Sequence, residues 1–312
     1  MKTKFLFIGL LCLSLLSCEK DNKREKDVFG DKNQKEQEEI EEKKEVRGFL
    51  PGVFSVSDTT KVQFSQGNLQ YQASTDTWRF AEYQYDMVGI GYGITDNEED
   101  CYVGGTVLNS DNREISPTYS GWIDLFGWGT GKNPTNVSKN YEDYSIFEDW
   151  GYNEISNGGN IDSVWFTLSS EEWNYLLNDR PNASSKKGVA CVNDVNGLVL
   201  LPDDWTLPDG AHFTSGFTLG EYKSVNNYTD SEWKDMESAG AVFLPAAGLR
   251  DFGNNGIYVD GCGKNGYYWT SDKTELSEHS ELLIAESILK VKDIDKYSAI
   301  SGLSVRLCKI YE

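Results

Sequence analysis

Histidine is almost absent from this chain: 312 residues carry two, His212 and His279. Two imidazoles cannot build a three-histidine metal site, and neither lies near the nucleophile-elbow motif of a serine hydrolase. Cysteine is scarce as well, six in all, and a zinc site would need scattered residues to converge. Positive charge is in deficit, with 29 Lys and Arg against 50 Asp and Glu and a formal net charge of −21. That balance excludes phosphate-backbone binding, hence nucleic acid, and argues against simple adhesion to anionic lipid. Beyond the N-terminus no run approaches 18 consecutive apolar residues, so no membrane-spanning helix is expected. Fifty acidic residues guarantee that some carboxylate pair lies close, which gives glycoside hydrolysis no specific support.

What is present begins with an address. Lys2 and Lys4 precede an apolar run over 5–16 interrupted only by Gly9 and Ser14, too short to span a bilayer. It ends in Leu15-Leu16-Ser17-Cys18, which reads as a lipobox: residues 1–17 form a lipoprotein signal peptide, and Cys18 becomes the lipidated N-terminus. Two or more acyl chains suffice for stable anchoring, so the membrane is a partner through Cys18 and the protein is tethered without spanning. Cys12 falls within the discarded segment. From 19 to 47 the chain holds 9 Lys and Arg and 11 Asp and Glu among 29 residues, with Val28, Phe29, Ile40 and Val46 the only sizeable apolar side chains. Such a stretch buries too little surface to offset its chain entropy, which makes residues 18–47 a disordered, charged tether.

A single domain over 48–312 follows, long enough to bury a large core. Val53-Phe54-Ser55-Val56, Lys61-Val62-Gln63-Phe64-Ser65 and Thr77-Trp78-Arg79-Phe80 read as strands. Two helices are announced by the same device. Ser169 precedes Glu172 by three residues with Leu168 and Trp173 placed for a hydrophobic staple, and Thr229 precedes Glu232 between Tyr228 and Trp233. Met236 continues the second apolar face and Gly240 ends it. Residues 195–202 read as a buried strand after an Asn-Gly turn, with Trp205 in the core beyond it. The run 282–291 suits a strand pair or a helix almost equally. Aromatics make up 13% of the chain, and most are expected in the core.

Several of these segments resemble a family. Phe64-Ser65-Gln66-Gly67-Asn68-Leu69-Gln70-Tyr71, residues 78–81 and 120–129, then 240–250, Gly266-Tyr267-Tyr268-Trp269-Thr270-Ser271-Asp272 and Gly302-Leu303-Ser304-Val305-Arg306-Leu307-Cys308 resemble the Bacteroidetes paralogous surface lipoproteins. These have a C-type-lectin-like fold of the formylglycine-generating-enzyme (sulfatase-modifying-factor) type and are similar to the Fibrobacter major paralogous domain. The resemblance implies an α+β, C-type-lectin-like domain with short twisted antiparallel strands and two flanking helices. It favours strands at 282–291 and marks about 90–116, with the acidic run Asp96-Asn97-Glu98-Glu99-Asp100, as an insertion. Glu19-Lys20-Asp21 resembles the charged signal that sends such lipoproteins to the outer face of the outer membrane.

Catalysis does not carry over. Enzymes of this fold use two neighbouring cysteines or three histidines, whereas Cys262 and Cys308 lie 46 positions apart. No cofactor is expected: the acidic run offers carboxylates to calcium but lacks the EF-hand glycine and terminal Glu. The calcium-binding motifs of sugar-binding C-type lectins are also missing. The reading is a non-catalytic cell-surface lipoprotein that binds a glycan or protein ligand. A structural envelope protein without a soluble ligand, or an enzyme of other chemistry, are the alternatives. Strand alternation puts Tyr268, Thr270 and Asp272 outward if Tyr267, Trp269 and Ser271 point inward. With Tyr258, Asp260 and Lys264 on the preceding Gly-rich loop, the candidate ligand residues are Tyr258, Asp260, Lys264, Tyr268 and Asp272. An exported chain permits disulfides, and Cys101, Cys191, Cys262 and Cys308 allow three pairings.

Overall fold

A capping signal is local, so it survives in any tertiary context, and both helices start where the sequence places them. In the computed structural model the Ser169 side chain accepts from the Glu172 N–H while the Glu172 carboxylate accepts from the Ser169 N–H; Thr229 and Glu232 repeat the exchange. Leu168 and Trp173 are buried in one cluster, and the Tyr228 and Trp233 rings stand 5.9 Å apart. The second helix closes in a Schellman motif. Gly240 at φ 99° donates to the Glu237 carbonyl and Ala241 to that of Met236.

The structure describes residues 45–88, 102–103, 106–107, 111–113, 115–216, 222–254, 256–273, 279–285, 288–294 and 296–312. Cys18, the tether as far as Lys44, Cys101 and the Asp96–Asp100 run lie outside these. The strands are β1 (Phe54–Ser55), β2 (Lys61–Phe64), β3 (Leu69–Gln72), β4 (Thr77–Phe80), β5 (Tyr102–Val103), β6 (Thr106–Val107), β7 (Phe166–Thr167), β8 (Lys187–Val192), β9 (Val195–Leu200), β10 (Asn227–Tyr228), β11 (Val242–Pro245), β12 (Ala247–Gly253), β13 (Gly256–Cys262), β14 (Gly266–Lys273), β15 (His279–Ala285), β16 (Ile288–Ile294) and β17 (Leu307–Ile310). The α-helices are α1 (Ser170–Asn174), which continues as a π-turn over Tyr175–Asp179, α2 (Tyr222–Val225) and α3 (Asp230–Ser238).

The strands pair mostly antiparallel, in sheets ordered β1-β2-β17-β7, β10-β8-β9-β11 and β13-β12-β14-β15-β16, with β3-β4 and β5-β6 as separate ribbons. Mixed helix and sheet is therefore the fold class, and Glu45–Glu312 forms one compact unit. The run at 282–291 resolves into β15 and β16. One turn differs from expectation. The β8–β9 hairpin closes on Asn193 and Asp194, both at positive φ (47° and 65°), and Asn196-Gly197 lies inside β9. Asn and Asp tolerate the left-handed region, so a two-residue turn of them competes with Asn-Gly three positions on.

Three large clusters fill the interior. Trp78, Trp128, Trp150, Trp165 and Trp269 belong to the first, Trp173 to the second and Trp233 to the third. Seven of the nine tryptophans are thus core, and Trp205 packs half-buried against the third cluster. Trp122 is half-buried under the Arg79 guanidinium, 3.7 Å from its ring centre. None of the nine tryptophans is fully exposed.

Candidate functional site

The sheet β13-β12-β14-β15-β16 decides which candidate residues meet solvent, because α1 and its cluster lie against one side. Tyr268, Leu282 and Ile284 sit in that cluster, with Leu289 and Val291 packed on it. Tyr268 is fully buried: its hydroxyl donates to the Pro245 carbonyl at 2.8 Å and accepts from Asn68 Nδ2 at 3.3 Å. The outward orientation expected for Tyr268 is therefore corrected. Alternation holds along β14, but both of its sides are covered, with Trp269 buried in the first cluster. Asp272 is half-buried. Its carboxylate accepts from the Ser170 N–H at 2.6 Å and from the Ser170 hydroxyl, so it completes the start of α1.

The remaining three candidates lie at the other edge. On β13, Tyr258 is half-buried and Asp260 exposed, its carboxylate accepting from the Gly261 N–H at 2.7 Å. Lys264 lies in the turn to β14, and its carbonyl accepts from the Tyr222 hydroxyl at 2.7 Å.

Register extends this edge into a face. Tyr258 pairs with Asp251 and Asp260 with Leu249. Tyr267 pairs with Leu283, Leu283 with Lys290, and Glu281 with Lys292. Directly paired residues share a face and i, i+2 residues continue it. One side of the sheet therefore carries Asp251, Tyr258 and Asp260, then Tyr267, then Glu281, Lys290 and Lys292, and with them Leu249, Trp269 and Leu283; Trp269 is buried in the first cluster and Leu249 and Tyr267 pack on it. Burial pushes the Tyr267 hydroxyl pKa up, and the nearby Glu281 and Asp260 carboxylates raise it further. Glu281 is 6% exposed; burial lifts its pKa to about 7, and Lys292, 3.9 Å away and half-exposed, draws it back down. His279, two residues before it, stacks on Trp128 at 4.1 Å.

The sequence reading missed Asp251, Tyr267, Glu281, Lys290 and Lys292. Their signal was weak: the Glu-Ser between Ala285 and Ile288 carries no Gly or Asn turn residue in the sequence. The other buried carboxyl raised by burial, Asp149, accepts from the Gly151 N–H, the Thr167 N–H and the Thr167 hydroxyl, each at 3.0 Å, and is structural. His212 is exposed and rests on Tyr228 at 4.9 Å. Among the described residues no three His, Cys, Asp or Glu side chains gather as a metal-binding group.

The cysteines divide. Cys191 and Cys308 are buried thiols and Cys262 is disulfide-bonded, with its partner outside the described residues. Any pairing that uses Cys191 or Cys308 is corrected. Both thiols are fully enclosed, and burial drives the Cys308 pKa up, away from the reactive thiolate.

No family model, curated protein or solved structure matches this chain. Among the described residues no helix is long and apolar enough to cross a membrane.

Proposed function

We propose that this chain is a non-catalytic cell-envelope lipoprotein, anchored through Cys18 and displayed at the cell surface, whose C-type-lectin-like domain binds a glycan or protein ligand. The observation that carries the binding reading is the face of β12 to β16. Solvent reaches this side at its two edges, at Asp251, Tyr258 and Asp260 on β12–β13 and at Lys290 and Lys292 on β16, while its middle, with Trp269 and Glu281, is buried. Tyrosine offers an apolar ring and a hydrogen-bonding tip at low entropic cost, and flanking carboxylates and ammonium groups supply direction. For a glycan the half-buried ring of Tyr258 is the stacking surface, with Asp251 and Asp260 accepting from hydroxyl groups. The lectin-like fold is supported by the short antiparallel strands and the two capped helices. The outer-membrane address rests on the signal peptide, the lipobox and Glu19-Lys20-Asp21.

The compact unit Glu45–Glu312, applied to a glycan and mucin array with calcium and then with chelator, tests the binding reading. Saturable binding that Tyr258→Ala abolishes and Tyr268→Phe leaves intact supports it. Binding indifferent to Tyr258, Asp260 and Tyr267 alike moves recognition to another surface. Chelator sensitivity would reveal a metal-dependent ligand.

A further inference from the structure

A cleft of about 380 Å³ lies against β2 and β17 and shares no residue with the face of β12 to β16. Its volume falls in the range of about 300–1,000 Å³ usual for small-ligand sites. Val46, Val164 and Tyr311 give it apolar surface, and Gln63, Lys309 and Glu312 give it polar groups.

Strand pairing sets these groups side by side. Gln63 and Lys309 are directly paired, so their side chains leave the sheet on one side, and Tyr311, two residues on, continues it. Val62, Phe64 and Cys308 take the opposite side and are core. Gln63 is only 6% exposed. Its Nε2 donates to the Leu50 carbonyl at 3.1 Å, and no donor of the described residues reaches Oε1. Burial holds the amide in place, so Oε1 is a fixed acceptor. The backbone adds a donor. β17 pairs with β7 only at Leu307 and Cys308. The Tyr311 N–H turns toward β2, where it donates to the Lys61 carbonyl at 2.9 Å, so by alternation the Ile310 N–H points the other way, past the end of β7.

The two charges of the cleft do not neutralise each other. The Lys309 ammonium stands 4.5 Å from the centre of the Phe49 ring and donates to the Ile310 carbonyl at 3.4 Å. Neither Lys309 nor Glu312 belongs to an ion pair among the described residues. A cation, a carboxylate, a fixed acceptor and apolar walls in one cleft complement a molecule that carries both charges on a small apolar body.

We infer that this cleft binds a short zwitterionic peptide. The peptide carboxylate meets the Lys309 ammonium and the Ile310 N–H, its ammonium meets Gln63 Oε1 and the Glu312 carboxylate, and its side chains lie on Val46, Val164 and Tyr311.

The test is titration calorimetry of the full chain with alanyl-leucine as the probe, beside its C-terminal amide and its N-acetyl form. Saturable binding of the dipeptide is expected, at least tenfold weaker for each blocked form. Lys309→Gln should weaken dipeptide binding at least tenfold and erase the difference between acid and amide. Glu312→Gln should erase the difference between the free and the acetylated amine. Lys309 is half-buried and Glu312 exposed, so both variants should fold, which a thermal transition verifies. Tyr258→Ala should leave dipeptide binding unchanged, which separates this cleft from the face of β12 to β16. No saturable binding of the dipeptide overturns the inference, as does equal affinity for all three forms. So does saturable binding of glucuronate in place of the dipeptide, which would mark the cleft as an acidic-sugar site.

Discussion

At the scale of single residues, the chemistry here is set more by enclosure than by residue type. Glu281 illustrates the sign. Its folded pKa, about 7, stands above the ordinary value of 4.5, so the folded state penalises the charged form. The penalty is absent below about pH 4, grows as pH rises toward 7 and is complete above it. A shift of this size corresponds to about 3 kcal/mol. The wild type should therefore lose stability to urea between pH 5 and pH 8, and Glu281→Gln should flatten that dependence and be the more stable protein at pH 8. An unchanged pH profile would contradict the burial of this carboxyl. Tyr268 is the complementary case. Tyr268→Phe removes a buried hydroxyl from the Pro245 carbonyl and Asn68, with an expected cost of about 1–2 kcal/mol and no change in ligand binding. Nothing in Gly-Tyr-Tyr-Trp-Thr-Ser-Asp distinguishes Tyr267 from Tyr268. Alternation says only that they face opposite ways, and how far each is enclosed depends on where α1 and the 302–305 segment pack, a long-range fact.

Among the elements, the helices were legible and one turn was not. Both capping boxes use residues three apart, and the staples use neighbours, so the signal lay within a six-residue window. Ser169→Ala and Thr229→Ala should each cost about 1 kcal/mol in denaturant unfolding. Gly240→Ala should cost more than either. Its φ of 99° strains any side chain, and a Cβ would come within 2.7 Å of the Gly52 Cα. Equal effects of all three would show that the Schellman closure is dispensable. By contrast, the strand pair β15–β16 carried no turn chemistry, and its register emerges only from the apolar face that Leu282 and Ile284 set against α1. The lysines of β16 therefore share the side of Tyr258 and Asp260 without any local mark in the sequence.

For the whole molecule, covalent constraint and address matter most. Cys262 is held in a disulfide while Cys191 and Cys308 are sealed thiols. Reduction of the native protein should lower stability by about 2–5 kcal/mol, and alkylation of the unreduced native form should leave Cys191 and Cys308 unmodified until unfolding. Rapid native labelling of either would contradict their enclosure. Metabolic labelling with a fatty-acid analogue should mark the wild type and not Cys18→Ser. The acidity of the chain, −21 overall, also predicts that ligand affinity varies with ionic strength if the partner is a basic protein and hardly at all for a neutral glycan.

The surface proposed for recognition is the side of the β12 to β16 sheet that carries Tyr258 and Asp260. Equilibrium binding of array-selected ligand to the wild type and to Tyr258→Ala, Asp260→Ala and Tyr268→Phe, each verified as folded by its thermal transition, tests it most directly. Binding at least tenfold weaker, by about 1.4 kcal/mol or more, is expected for the first two variants, and wild-type affinity for the third. Undiminished affinity in Tyr258→Ala and Asp260→Ala would contradict it.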